Sequence, residues 1–267
     1  MIRKPQVAGQ FYPANASRLK QQLQKLLDRQ EDKVAALGLV SPHAGYVFSG
    51  AVAAGCFSQV ELTETVVILG PNHTGLGKPF SIMTEGIWQM PLGKVEVDTV
   101  LAKRILQGSK YLDSDTQAHA FEHSIEVQLP FLQFFLTRVK IVPIVLSTAD
   151  LATYNEIGNA IAKALTETEH MSLIVASSDM SHYEPQQTAK TNDFLAIEAI
   201  LKLDEEELLK RVKESNITMC GSGPIACMIH AVKKLGAKSG RLIKYMTSGD
   251  VTGDFSSVVG YAGIMIQ

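Results

Sequence analysis

The chain has 267 residues, 46% of them hydrophobic and 19% charged, which is enough apolar material for one large core. Its 25 Lys and Arg against 27 Asp and Glu leave no cationic excess to neutralise a phosphate backbone, so nucleic acid is not an expected partner. No apolar run approaches the roughly 20 residues of a membrane helix and no signal-peptide core is visible, so a cytoplasmic location is expected, where Cys56, Cys220 and Cys227 would be thiols.

In chain order, a helix is expected over residues 16–30, then a strand over 36–40 that runs into Ser41-Pro42-His43-Ala44-Gly45-Tyr46. A second strand, 66–69, runs into Gly70-Pro71-Asn72-His73-Thr74-Gly75, and a third follows at 80–83. Helices at 99–107 and 124–135, the latter with Ser124 as its N-cap, precede a strand at 139–145. Asp150 caps a helix at 151–165, and the strand at 173–176 runs into Ser177-Ser178-Asp179-Met180-Ser181-His182-Tyr183. Helices are expected at 187–201, 204–214 and 222–235, the second opened by an acidic run that suits the helix dipole, the third closed by Gly236. Strands at 242–246 and 258–266 complete the pattern. Apolar runs alternating with helical stretches, without a linker or repeat, predict a single α/β domain over 1–267 with a mostly parallel or mixed sheet flanked by helices.

In such sheets ligands bind beyond the carboxyl ends of the strands. Three of the seven histidines, His43, His73 and His182, fall just past expected strand ends, each with Gly or Pro nearby. Cys220 in Cys220-Gly221-Ser222-Gly223-Pro224 stands at or just before a helix N-terminus, where a thiolate is favoured. Cys56 and Cys227 lie in apolar stretches and are expected in the core. Two imidazoles and one anionic ligand with open positions make a non-heme metal site, so His43, His73 and Cys220 are the expected ligands. Iron or copper is the expected ion, with zinc as a further candidate. Asp179 and His182 are expected either to hold the ligands in place or to act as acid and base, with Cys220 counted among the catalytic groups.

The run His119-Ala120-Phe121-Glu122-His123 matches the inverted zinc-peptidase signature, with Glu198 as a distant third ligand. Pro130, seven residues after His123, argues against a long ligand-bearing helix there, so Glu122 and His123 are expected to line or buttress the cleft or to cap the helix at 124. Tyr12, Tyr46, Phe48 and Asn72 are the other expected cleft residues. The glycine-rich loops at 70–78 and 248–254 lack a phosphate-binding pattern and are read as tight turns.

The segments VAGQFYP (7–13), SPHAGYVFSG (41–50), GPNHTG (70–75), EHSIEVQLPFLQ (122–133), SSDMSHY (177–183) and CGSGPI (220–225) together resemble the Memo family, also labelled AmmeMemoRadiSam system protein B in microbes. The resemblance runs from about residue 7 to 263 and implies a fold similar to class III extradiol dioxygenases, enzymes with non-heme iron. It implies that His43 and His73 match their metal histidines, that Cys220 stands where they use a glutamate, and that His182 matches their base. A thiolate in place of a carboxylate shifts metal preference, so ring cleavage does not carry over. Memo relatives in animals are associated with redox chemistry, metal binding and recognition of phosphotyrosine-bearing receptors. The expected function is a metal-dependent redox protein, an oxidoreductase or dioxygenase-like enzyme. The alternatives are a non-catalytic module binding a peptide, a metal or a partner protein in the inherited cleft, and metal-free thiol chemistry at Cys220. A small-molecule or peptide ligand in the cleft and a radical-SAM protein are the expected partners.

Overall fold

The computed structural model describes residues 1–27, 33–168 and 172–267. Strand β1 (Ile2–Arg3) and helix α1 (Ala16–Leu26) lead into β2 (Gly38–Ser41) and α2 (Tyr46–Gln59). Strands β3 (Thr65–Pro71), β4 (Phe80–Ile82), β5 (Ile87–Met90) and β6 (Gly93–Val97) follow, then α3 (Thr99–Gly108), β7 (Asp113–Ser114) and the short α4 (Gln117–Ala120). A 3₁₀ turn (Glu126–Gln128), α5 (Leu129–Phe135), β8 (Lys140–Leu146), α6 (Leu151–Thr166), β9 (Leu173–Ser177) and β10 (His182–Glu184) come next. The chain closes with α7 (Gln186–Leu201), α8 (Glu205–Glu214), α9 (Ser222–Lys234), β11 (Gly240–Thr247), α10 (Gly249–Thr252) and β12 (Val258–Ile266).

The centre of the sheet is the parallel set β8-β3-β9-β2, whose residues are buried almost throughout, as strands covered on both faces must be. β12 adds antiparallel to β2 and carries β11 and β10, so the sheet is mixed. α9 packs on β2, β3 and β9, and α2 on β2, β11 and β12. The register decides where loops meet: Ser41 pairs with Ser177 and Leu69 with Ala176, so β2, β3 and β9 end side by side. His43, His73 and Asp179 each lie two residues past the last residue of one of these strands.

Several expectations are corrected. The helix expected over 124–135 begins only at Leu129, after the 3₁₀ turn, because Pro130 suits a first turn and not an interior. Ser124 is therefore no N-cap; its hydroxyl reaches the Pro71 carbonyl at 3.5 Å and its N–H donates to Glu122. α1 ends at Leu26, and the remainder of its expected span at 28–30 lies outside the described residues. The expected cap at Asp150 is present and Asp204, first of the acidic run, caps α8, each accepting from the N–H three residues on, and Gly236 lies at φ 102° just after α9. Among the described residues no helix is long and apolar enough to cross a membrane.

Candidate metal centre

His43, on the loop after β2, is buried and fixed at three points. Its N–H donates to Asp179 Oδ1 at 2.8 Å, its Nδ1 lies 3.0 Å from Ser177 Oγ, and its Nε2 lies 3.3 Å from Cys220 Sγ and 4.0 Å from Asp179 Oδ2. Burial, then the neighbouring His73 and His123, push its pKa well below the ordinary value, so the ring is neutral.

His73, on the loop after β3, is exposed and held by Glu122, whose side chain is buried. Glu122 Oε2 accepts the His73 N–H at 2.8 Å, and Oε1 lies 2.9 Å from His73 Nδ1, 2.8 Å from Ser124 N and 3.6 Å from His123 Nδ1. Burial would raise the Glu122 carboxyl, but the hydrogen bond and charge of His73, the Ser124 amide and His123 outweigh it and hold the pKa at about 2. The ionised carboxylate only accepts, so His73 Nδ1 carries a proton toward it, and in the neutral ring the lone pair lies on Nε2.

His123 completes the set. Its ring stacks on His73 with centroids 4.7 Å apart and meets His43 edge-on at 5.4 Å and Phe11 edge-on at 5.1 Å. One ligand atom from each of His43, His73 and His123 lies within 4.8 Å of the others. Ligands about 2.1 Å from a common ion are at most about 4.2 Å apart, so the three imidazoles fit a metal ion after shifts of some tenths of an ångström. That compact triad was not expected from the sequence, where His123 was a lining residue and Cys220 the third ligand. Cys220 is nonetheless adjacent, through the 3.3 Å contact to His43 Nε2.

Cys220 is placed by a close approach of backbones. The Gly221 N–H donates to Ser178 Oγ at 3.0 Å, and a Cβ on Gly221 would stand 2.4 Å from Ser178 Cβ, so only glycine lets the start of α9 come this near β9. The Asp179 N–H points at Sγ from 3.3 Å. The helix-favoured thiolate does not follow: burial, then the charge of Asp179, push the Cys220 thiol well up. An uncharged thiol is therefore the stable form without a cation, which weakens the metal-free nucleophile reading. Burial likewise lifts Asp179 to about 6, against its bonds from His43 and Ala44 N–H and the charge of His182. His182 is fixed by Thr218, whose hydroxyl accepts its N–H at 2.7 Å and whose carbonyl accepts from Nδ1 at 2.9 Å, so that in the neutral ring the lone pair lies on Nε2.

The other expected residues divide. Asn72 shapes the His73 loop, its Oδ1 accepting the Gly75 N–H at 2.9 Å, and Phe48 is partly exposed beside Gly45. Tyr12 and Tyr46 are core residues whose hydroxyls donate to Glu126 and the Val127 carbonyl; the ring against the histidines is that of Phe11. Cys56 and Cys227 are buried, as expected. His119 is buried against Ser81 and apart from the triad, and Glu198 pairs with Arg211, so no peptidase set assembles.

Arg3 and Glu126 carry weight that the sequence did not signal. Arg3 reaches Glu126 Oε2 at 2.6 Å, the Glu122 carbonyl at 2.6 Å and the His119 carbonyl at 2.8 Å, and its guanidinium lies 3.9 Å above the Trp88 ring. Glu126 also accepts from Gln6 and Val7 N–H and from Tyr12. This clamp ties the N-terminal segment bearing Phe11 to the segment bearing Glu122 and His123.

The family model for Memo-like protein matches residues 3–265. The chain belongs to the Memo family. It is 44% identical over 281 residues to a MEMO1 family protein of Methanopyrus kandleri, 45% over 270 to one of Methanococcoides burtonii and 42% over 285 to one of Methanocaldococcus jannaschii. Each alignment covers the whole of this chain and 99% or more of the relative. Within this Memo protein the motifs that carried the resemblance fall together: His43, His73, the Glu122-His123 pair, Asp179 and Cys220 all border one site.

Proposed function

We propose that the protein is a metal-dependent redox protein, with an iron or copper ion held by His43, His73 and His123 and with Cys220 as a further donor. The observation that carries this reading is the convergence of three imidazoles within 4.8 Å, with the Cys220 sulfur 3.3 Å from one of them. A bound ion of this kind supplies Lewis acidity and a one-electron couple. The side chains do the rest: Glu122 holds Nε2 of His73 free, and Asp179, lifted to about 6, stores or releases a proton beside His43. His182 offers its unprotonated Nε2 as a base. Cys220 surrenders its proton only when a cation offsets the cost of burying its charge. A small molecule or peptide entering the cleft passes the exposed His73 loop and Phe48.

Anaerobic purification followed by metal analysis tests the reading. We expect near one equivalent of iron or copper per chain and its loss in His43→Ala. No stoichiometric metal, with uptake unchanged in His43→Ala and Cys220→Ala, rejects it. Metal binding without oxygen consumption across a panel of catechols and related aromatics makes the protein a binding module instead.

A further inference from the structure

We propose that Ser177 and Gln128 set the tautomer of His43, keeping its proton on Nδ1 and presenting a bare Nε2 to the site. The inference deepens the metal reading above, and it is carried by the polarity of one buried hydrogen-bond chain. Ser177, Gln128 and His43 are all buried. Ser177 Oγ has three polar neighbours: the Ser124 carbonyl at 2.7 Å, Gln128 Nε2 at 2.8 Å and His43 Nδ1 at 3.0 Å.

Two of these neighbours have fixed roles. A carbonyl can only accept, and two oxygens 2.7 Å apart repel unless a proton lies between them, so the single Ser177 proton goes to Ser124. The Gln128 amide nitrogen can only donate. Its orientation is not open to a flip, because the same nitrogen lies 3.0 Å from the Pro42 carbonyl and 3.4 Å from that of Ser41; the amide oxygen there would face two carbonyls. Ser177 has then given its only proton and accepted one bond, and toward His43 it can only accept again. Nδ1 must therefore be the protonated nitrogen. In a neutral imidazole this leaves the lone pair on Nε2, the atom 3.3 Å from Cys220 Sγ, where the thiol proton can point at it.

A second observation supports the assignment. Gln128 Oε1 is buried and has no hydrogen-bond partner among the described residues. Leaving such an atom without a partner costs stability, which an apolar side chain at this position would avoid. What the amide does contribute is on its N–H side. Ser177 and Gln128 are thus positioning residues, acting on the site only through His43.

The test reads the tautomer without metal. The full chain, metal-free and with ¹⁵N-labelled histidine, is examined by long-range ¹H–¹⁵N NMR, His43 being assigned by its absence in His43→Gln. A pyrrole-type Nδ1 and a pyridine-type Nε2 are expected; the reverse overturns the proposal whatever the protein binds. Ser177→Ala should populate the other tautomer and weaken Co²⁺ binding about 10- to 100-fold, with S177T restoring both. An unchanged tautomer in a folded S177A protein overturns the proposal. Ser177→Cys, whose sulfur is only a weak acceptor for the Nδ1 proton, provides the same readout should S177A fail to fold. A wild-type protein that takes up no Co²⁺ while showing the Nδ1–H tautomer defeats the metal reading and leaves the relay standing.

Discussion

His43 and His73 leave neighbours of the same strand, β9, at equivalent positions, yet they are held by opposite chemistry. His43 is buried and anchored by neutral groups, Ser177 and the Gln128 amide behind it, whereas His73 is exposed and anchored by the ionised Glu122. The charge already present explains the difference. A second carboxylate beside Asp179 would place two like charges together in a buried site, while the carboxylate of Glu122, itself buried, is stabilised by two N–H groups and two imidazoles. The inner half is thus set by hydrogen-bond direction and the outer half by charge, and substitutions on each half should fail differently.

The largest expected effect is at the clamp beneath the outer half. Glu126→Ala strands the Arg3 guanidinium in a site where it is 3% exposed, and removal of one partner of a buried pair costs about 3–5 kcal/mol. Urea unfolding should show that loss; a change under about 1 kcal/mol would mean that the N-terminal segment is not held by this pair.

Next is a pH effect on the same segment. Burial lowers the His119 pKa from 6.5 to about 4, so the unfolded chain takes up a proton in this window while the folded chain does not. Stability contributed by neutral His119 is intact above pH 6.5 and falls as pH drops toward 4, by at most about 3 kcal/mol. His119→Gln should flatten that part of the profile relative to wild type; parallel profiles would show that His119 titrates normally.

How much of this was legible in the sequence depends on the range of the interaction. The central strands declare themselves as apolar runs, and the residues just past them, His43, His73 and Asp179, follow from the rule that sites form at strand ends. α2 was less visible, because Gly50 and Gly55 lower its helix propensity and packing on β2, β11 and β12 supplies what propensity does not. The β5–β6 hairpin escaped notice for want of a strong turn signal, although it buries Trp88. His123 follows no strand, and the one spacing that marked it as a ligand paired it with His119, which the structure holds against Ser81 and apart from the triad. Gln128 and Ser177 lie 49 residues apart, and Ser177 and His43 134 apart; such polarity chains exist only once the sheet register has been set.

Glu122→Gln separates the halves more finely. It keeps the shape but removes the charge and turns one accepting oxygen toward the donors of His73 and Ser124 into an N–H, so the hold on the His73 ring loosens and Co²⁺ affinity should drop about 10- to 100-fold. The NMR signals of His43 should stay in place, because its own anchor is untouched. Equal disturbance of both rings would show that the two halves act as one unit.

The smallest effect belongs to Asp115, which supports the outer half from farther away. Its carboxylate accepts from Lys78 N at 2.8 Å, Gln117 N at 2.9 Å and Ala118 N at 3.2 Å, joining the end of the His73 loop to α4. Gly77, at φ 67°, lies so close that a Cβ there would meet this carboxylate and the Ala118 N–H, so the loop is seated on Asp115. Asp115 is exposed enough for water to replace part of what is lost, so Asp115→Ala should cost only about 1 kcal/mol. Its informative consequence is local. Amide exchange should speed up over residues 73–78 and leave residues 41–45 unchanged, since the inner loop has no bond to Asp115. Faster exchange at His43 as well would mean that the exposed loop and the buried one open together.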